Sequence, residues 1–579
     1  MSLATTGAGR SKGQNAVVPV APTLLTATTN GSTRIDLAWT DNSDNETGFR
    51  IYRSIDGVTF TELDTAAADA TAYSDTSCAG LTQYWYYVVA YNAVGESDPS
   101  NTDDATTTAD IYIDYKNGND TTGDGSSGTP YKTLTKALIE ASNDDCIGVR
   151  GDDSDQTTYY YGTYSTSKTG LLIKPDTGHT PVLSSAQVYL AVSWSKTIGQ
   201  TNVWEAATVA TLGAFEGTTV LAKQTSVADV DSNENSWYYN AGTTYVHVSG
   251  GGQPSMVHCL YTATAMLALS GANITLYGLT SWWTRGTSFL AAASGISIKQ
   301  CTIEHRDNSV ALPAILVSGA GVSVDGCTFA NMNASYSDGI QVNSGGTGTS
   351  IVNCAFDTVR YCVYLNDAGS GQVIEDCTFD NASHGIYAQL TSIYTARRCT
   401  ATNTRFFSVC HTAGSTEATL HHCIYNWDED GGSPGDYHIG YVGHGSCNLY
   451  HCIAANLNRC TTIWYSKGFS LYKDVAHVMR NCIAYNCGSG FVMNAFGDTV
   501  MLTEDHNCAY DNVDDWDGIT PDGTSITDDP DFVSNVAGSE DFHLQAGSPC
   551  INAGVAIAGI NDDYVGDAPD IGRYEYAAS

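Results

Sequence analysis

The sequence predicts an all-β chain: a small N-terminal β-sandwich, then a long solenoid of stacked β coils, a parallel β-helix. Three observations carry this. Cys301, Cys327, Cys354, Cys377, Cys399, Cys423, Cys452, Cys482 and Cys508 recur every 22 to 30 residues. Within each period apolar and polar residues alternate, and a period of that length with period-2 alternation inside it marks a β solenoid. The composition is poor in charge (15% charged residues) and in proline, and rich in glycine, threonine, serine, asparagine and tyrosine, which suits short strands joined by tight turns.

Residues 1–19 form a Gly/Ser/Thr arm, suited to attachment. Residues 20–108 hold short alternating runs such as Arg34-Ile-Asp-Leu-Ala-Trp39 and Gly48-Phe-Arg-Ile-Tyr52, broken by Asp/Asn/Gly turns, the pattern of a β-sandwich. Residues 109–272 open the solenoid. There Thr129 is expected to cap a short helix with Pro130 at its first position, and Leu134, Ala137, Leu138 and Ala141 fall on one face. Such a helix covers the open end of a stack. Residues 273–512 form the coils. Each holds three strands: one before the cysteine, one containing it, and one with a Gly-Ile-x-Val pattern, as in Gln372-Val-Ile-Glu-Asp-Cys-Thr-Phe-Asp-Asn381 followed by His384-Gly-Ile-Tyr-Ala-Gln389. Leu279 takes the cysteine register one coil earlier. Asn331, Asn381, Asn403, Asn456, Asn486 and Asn512 stand four residues after their cysteines and are expected to stack, hydrogen-bonding up the column and satisfying turn backbone groups. Residues 513–579 close the stack.

With 62 acidic against 25 basic residues the formal charge is −37. Such a surface repels polyphosphate and anionic membranes, so no nucleic-acid partner is expected. No run of about 18 apolar residues is present, so no membrane insertion is expected. The opening residues lack the apolar core of a secretory signal. Of 18 cysteines, the nine at coil spacing read as buried, reduced, inert thiols rather than a disulfide framework.

The segment Trp39-Thr-Asp-Asn-Ser-Asp-Asn-Glu-Thr-Gly-Phe-Arg-Ile-Tyr-Arg53, with Leu81-Thr-Gln-Tyr84 and Ala90-Tyr-Asn-Ala-Val-Gly-Glu-Ser97, resembles bacterial fibronectin type III modules. The resemblance implies a core Trp39, a corner tyrosine Tyr84 and a spacer role. The opening Tyr112-Ile-Asp-Tyr-Lys-Asn-Gly-Asn-Asp, the coil repeat, and the tail Phe542-His-Leu-Gln-Ala-Gly-Ser-Pro-Cys-Ile-Asn-Ala-Gly554 resemble right-handed parallel β-helix proteins of the pectate-lyase-like superfold. Residues of about 195 to 262 look like the small β-rich insertion of some β-helix glycoside hydrolases. The resemblance implies a polysaccharide partner, and for tailspikes of this type a trimer. It does not supply a mechanism. Polygalacturonase-type Asn-Thr-Asp, Asp-Asp and Arg-Ile-Lys signatures are absent from the coils. Pectate-lyase-type elimination needs calcium-binding aspartates and a basic residue; Lys467 and Lys473 are present without a complete motif. No cofactor is required, and calcium is unsupported.

Equal offsets from the cysteine place side chains on neighbouring rungs about 4.8 Å apart. Tyr364 and Tyr387, ten residues on, point outward with Asn366 and Gln389 two positions later, and Trp464 takes a similar slot. Flat rings beside amides suit sugar recognition; a stacking ladder that stabilises the sheet is the structural alternative. Asp357 and Asp380, three residues on, would stack as a pair in which one carboxyl is driven toward its protonated form, the acid and base of glycoside hydrolysis. Arg360 and Arg405 share an offset of six, and His384 lies close by. A charge-balanced surface network is the alternative. His422 and His451 each precede a cysteine and could bridge a metal, but with no third ligand in register they read as surface histidines.

Three functional classes follow. One is a phage tailspike-like virion protein that binds, and in an active form depolymerises, host surface glycan, assembled through its N-terminal region. Another is a secreted bacterial polysaccharide hydrolase or lyase. The last is a non-enzymatic structural or adhesive protein. The expected location is extracellular or on a virion surface.

Overall fold

A computed structural model describes residues 17–151, 160–184, 186–190, 193–208, 213–216, 219–254, 256–260, 265–282, 286–304, 312–332, 338–411, 416–427, 438–457, 466–472, 475–494, 501–536 and 538–576. Two units emerge. One comprises 1–112 with 125–128 and 145–148, the other 113–124, 129–144 and 149–579.

The first unit is a β-sandwich. Thr23–Thr29, Ile35–Thr40 and Ala72–Asp75 form one antiparallel sheet; Thr61–Ala67, Gly48–Ser54, Gln83–Tyr91 and Asp103–Thr106 form the other. Alternate residues face a shared core of Leu25, Ile35, Leu37, Trp39, Phe49, Ile51, Tyr84, Tyr86 and Val88. The Trp39 ring lies 5.4 Å from that of Phe49, and the Tyr84 hydroxyl accepts from Ala79 N at 2.9 Å.

The second unit is a parallel β-helix. Successive strands of a coil belong to three sheets, and each pairs in parallel with its counterpart one coil on. The second sheet runs from Tyr160–Tyr161 to Cys508–Tyr510 and the third from Tyr164–Thr166 to Asp514–Asp517, each of 12 strands. The first sheet includes the strands from Leu172–Pro175 to Met501–Asp505.

Inside, identical side chains stack. Rings of Phe329 and Phe356 lie 4.5 Å apart at 7°, and Tyr441, Phe469, Phe491 and Trp516 continue such a ladder at 4.6 to 4.9 Å. The cysteines form a second column. From Cys301 to Cys482 they sit at the corner between the first and second sheets, immediately before the second-sheet strand rather than within it, as Cys327 precedes Thr328–Ala330, whereas Cys508 opens its strand. From Cys327 to Cys482 each thiol of the column points at a carbonyl of the preceding coil, as Cys377 Sγ does toward Ile351 O at 3.7 Å. All 16 described cysteines are free and buried. Leu279 shares their register, since Thr280 pairs with Thr302, and is fully buried.

The corners explain the conserved-looking offsets within the chain. The residue before the cysteine is left-handed in Gln300, Gly326, Asn353, Asp376, Arg398, His422, His451 and Asn481, with φ of 52° to 63°. The asparagines four residues after the cysteine are left-handed too: Asn331, Asn381, Asn403, Asn456 and Asn486 have φ of 51° to 63°. Asparagine tolerates this region because its short polar side chain bonds locally. A side-chain ladder of the expected kind joins Asn486 to Asn456 and Asn456 to Asn426, at 3.2 and 2.8 Å, whereas Asn381 Nδ2 donates to Asp357 instead. Asn512 departs from the pattern; Asp511 is the left-handed residue there.

The opening helix is shorter than expected. It spans Leu134–Glu140, capped by Thr133, whose Oγ1 accepts from Lys136 N at 3.2 Å. Thr129 does not cap it, because Tyr131 lies in a parallel bridge with Ile113 and is not helical. The buried face of Leu134, Ala137 and Leu138 is as expected, and the helix packs on Tyr164–Thr166, the first strand of the third sheet. Between Ser184 and Leu267 the chain forms two small sheets, beginning at Ala186–Leu190, with a core that includes Trp194, Trp237 and Val246.

Candidate functional site

The corner between the second and third sheets varies in length along the stack. In three consecutive coils it is short: residues 358–360, 381–383 and 403–405 join Ala355–Asp357 to Tyr361–Asn366, Thr378–Asp380 to His384–Gln389, and Thr400–Thr402 to Phe406–His411. In the coil before, residues 331–337 intervene, and in the coil after, residues 427–437. The short corners turn on Thr358, Asn381 and Asn403 at φ of 56°, 51° and 51°. For a β-branched threonine this is an unfavourable conformation.

Asp357 and Asp380 are direct register partners on the second sheet, flanking the buried Phe356 and Phe379. Asp357 is exposed, and its Oδ1 accepts from Asn381 Nδ2 at 2.8 Å. Around the corner, Arg360 is committed elsewhere. Its Nε and Nη2 donate to the two carboxylate oxygens of Asp338 at 2.7 and 2.6 Å, and Asp338 is 1% exposed. A guanidinium held by both prongs is a buttress rather than a free cation. Arg405 lies two rungs on and over the Phe406 ring at 5.4 Å.

His384 sits between these arginines, edge-on to Tyr361 at 4.8 Å and stacked on Phe406 at 4.7 Å. Burial, then Arg405 and Arg360, lowers its pKa to about 3. The imidazole is therefore neutral near pH 7, with Nδ1 3.0 Å from Ser383 Oγ, and is not a protonated acid as placed.

On the third sheet Tyr364 and Tyr387 are register partners, as are Asn366 and Gln389. Tyr361 joins them: it stacks on Tyr387 at 4.9 Å and 13°, and lies 5.5 Å from Tyr364. Beside the rings runs an amide ladder. Gln389 Nε2 donates to Tyr364 OH at 2.5 Å and to Asn366 Oδ1 at 2.9 Å, Asn366 Nδ2 donates to Asn343 at 3.3 Å, and Gln341 Nε2 donates to Asn343 at 2.7 Å. Gln389 Oε1 accepts from no group among the described residues. Trp464 and Lys473 lie outside the described residues.

Sequence reading passes over Tyr361, Asp338, Phe406, Gln341 and Asn343. One signal was available: Tyr361, His384 and Phe406 stand seven residues after Cys354, Cys377 and Cys399, an aromatic column at one offset.

The histidine pair needs correction. His451 is 1% exposed: Nδ1 donates to Gly572 O at 2.9 Å, and Nε2 accepts from Asn481 and Asn561 at 2.9 and 2.8 Å. The ring is a fastener for the closing segment, not a surface group. His422 stacks on it at 4.9 Å and 8°, and burial lowers the two pKa values to about 3 for His422 and about 4 for His451. Lys467 is half-buried, donates to Asn494 Oδ1 at 3.1 Å, and has a pKa lowered by burial. Among the described residues, three metal-type donors converge only at Asp41, Glu46 and Asp69 of the first unit, within 4.8 Å of one another.

A family model described as "Right handed beta helix region" matches residues 265–425, giving the hand of the coil. No curated protein matches the chain. Of solved structures, that of XylC with xylose is similar at 11% identity over 73% of this chain and 87% of that one, with a TM-score of 0.46. Pectate lyase Pel9A is similar at 13% identity over 80% and 96%, with a TM-score of 0.39. A domain fragment of titin matches at 24% identity over 16% of this chain and 32% of its own, with a TM-score of 0.15. The match thus spans about a third of that titin fragment.

Proposed function

We propose that the three short corners and the adjoining face of the third sheet form a binding surface for a polysaccharide chain, in a protein of the phage tailspike kind. One observation carries the reading: Tyr361, Tyr364 and Tyr387 cluster beside an amide ladder at coils whose corners are short. The rings offer apolar faces, Tyr364 OH can donate outward while accepting from Gln389, and Gln389 Oε1 can accept a sugar hydroxyl. A net charge of −37 favours a neutral chain over a polyanion. The free thiols suit assembly in a reducing cytoplasm. The N-terminal sandwich serves as a spacer of the fibronectin type III kind, a reading supported by Trp39 in its core and by the bond from Ala79 N to Tyr84 OH. A trimer and N-terminal attachment to a larger particle belong to the same proposal.

The test is Tyr387→Ala on a glycan array. Affinity is expected to fall about tenfold, roughly 1.4 kcal/mol. Because Tyr387 packs on Tyr361, a stability loss of about 1 kcal/mol accompanies it. Intact binding with only the stability loss would mean that the rings are a stacking ladder.

Hydrolysis is the second reading, favoured by the strict register of Asp357 with Asp380. Two carboxylates one rung apart, about 4.8 Å at the backbone, resemble the pair that cleaves glycosidic bonds.

A further inference from the structure

The second sheet carries a cleft of its own. Between its outer face and the closing hairpin of Phe532–Ser534 and Asp541–Leu544 lies a cavity of about 480 Å³, within the range of about 300–1,000 Å³ seen for small-ligand sites. Thr402 and Asn426, outward residues on adjacent rungs, line one wall. Asp541, His543 and Tyr574 line the other.

Asn426 singles the cleft out. It is only 5% exposed, and its Oδ1 accepts from Asn456 Nδ2 at 2.8 Å, yet its own Nδ2 donates to no protein group among the described residues. That nitrogen is not sealed from solvent, so it opens into the cleft, where a bound ligand's oxygen can take its hydrogen bond. The Thr402 hydroxyl likewise has no protein partner among the described residues.

The facing wall complements them. The Asp541 carboxylate accepts from His543 N and Nδ1 at 3.0 and 2.6 Å, which lowers its pKa and keeps it ionised. The His543 ring lies on Tyr574 at 3.9 Å and 19°. Ile424 and Phe542, both largely buried, supply apolar surface between the walls.

Donors on one side, an anionic acceptor with flat rings on the other and an apolar strip between them fit a ring that carries hydroxyls on its rim and C–H groups on its face. We infer that this cleft binds a neutral pyranose unit, with Asn426 Nδ2 donating to a ring hydroxyl, Thr402 donating or accepting, and Asp541 accepting. Asp541 and Glu540 on its rim disfavour uronate units by like charge. Thr402 pairs with Asp380, and Asp380 with Asp357, so a chain leaving the cleft down this column runs onto the aspartate pair. The inference rests on the polysaccharide reading for ligand class, but on a different face of the coil.

Calorimetric titration with xylo-, cello- and manno-oligosaccharides, and with oligogalacturonate as the charged comparison, tests it. Asn426→Asp keeps the oxygen that Asn456 bonds and removes the donor. Thr402→Val keeps the shape and removes the hydroxyl. Each is expected to weaken binding of a neutral oligosaccharide tenfold or more; the melting temperature holds in Thr402→Val, whereas the carboxylate of Asn426→Asp, largely buried, lowers it. Oligogalacturonate is expected to bind at least tenfold more weakly than the neutral probe. Full affinity in both variants, with loss only in Tyr387→Ala, overturns the cleft and leaves the third-sheet reading standing. Loss in Asn426→Asp with none in Tyr387→Ala supports the cleft and overturns that reading. A preference for oligogalacturonate overturns the ligand class, and no binding of any probe overturns both sites.

Discussion

Replacing Arg360 by glutamine strands the Asp338 carboxylate. That carboxylate is 1% exposed and takes two charge-assisted hydrogen bonds at 2.7 and 2.6 Å from the guanidinium. Breaking a buried pair costs about 3–5 kcal/mol. The Arg360 side chain is itself 25% exposed, so solvent screening puts the loss near the low end, about 3 kcal/mol. In a solenoid each coil leans only on its neighbours, so the loss concentrates around residues 338–366 rather than spreading through the chain. Hydrogen exchange read by mass spectrometry on peptides from that stretch is the appropriate assay. About 3 kcal/mol corresponds to roughly 150-fold faster exchange through local opening. Asp338→Asn combined with Arg360→Gln removes both charges and should restore most of the protection. Unchanged protection in Arg360→Gln, together with lost glycan binding, would refute the reasoning and make Arg360 a ligand-facing cation.

Asp357→Asn and Asp380→Asn are each expected to cut release of reducing ends from a cleaved polysaccharide by about a hundredfold or more, with the melting temperature unchanged; full activity in both would leave the pair a surface ladder. Acid should loosen the closing segment. His422 and His451 have folded pKa values of about 3 and about 4, below the ordinary 6.5, so their contribution is complete above pH 6.5 and is lost progressively as pH falls toward 4 and then 3. Protection of residues 551–573, taken relative to the intrinsic exchange rate at each pH, should therefore fall between pH 6.5 and 4.5, and protection that stays constant there would count against it. Cys377→Ser should cost only about 1 kcal/mol, because Glu375 O lies 3.2 Å from Sγ and gives the hydroxyl an acceptor; denaturant melts of the variant measure this. Thiol counting in denaturant without reductant should find the 16 described cysteines reactive, and a shortfall would indicate disulfides.

The coil was legible because its period is written in residues that face inward. Cysteine spacing placed nine rungs and Leu279 a tenth, and equal offsets gave the register of Asp357 with Asp380 and Tyr364 with Tyr387 without any structure. What escaped were partnerships across rungs at unequal offsets. Asp338 stands eleven residues after Cys327 while Arg360 stands six after Cys354, so equal offsets do not reveal that they pair. His451 misled for a similar reason: its partners Asn561 and Gly572 come from the closing segment more than a hundred residues away. The helix start was misplaced because two threonines could cap it, and Tyr131 between them is held extended by its bridge to Ile113, a partner eighteen residues away.

The alternation along Thr378–Asp380, with Phe379 inside and its neighbours outside, has an evolutionary corollary. A single-residue deletion in such a strand would turn the phenylalanine toward solvent and break the ladder above and below it. An insertion at the 381–383 corner leaves the inward register of the flanking strands unchanged. Length variation is thus channelled to the corners, where the coils of this chain already differ, and new loops can be tried there while the stacked interior stays fixed.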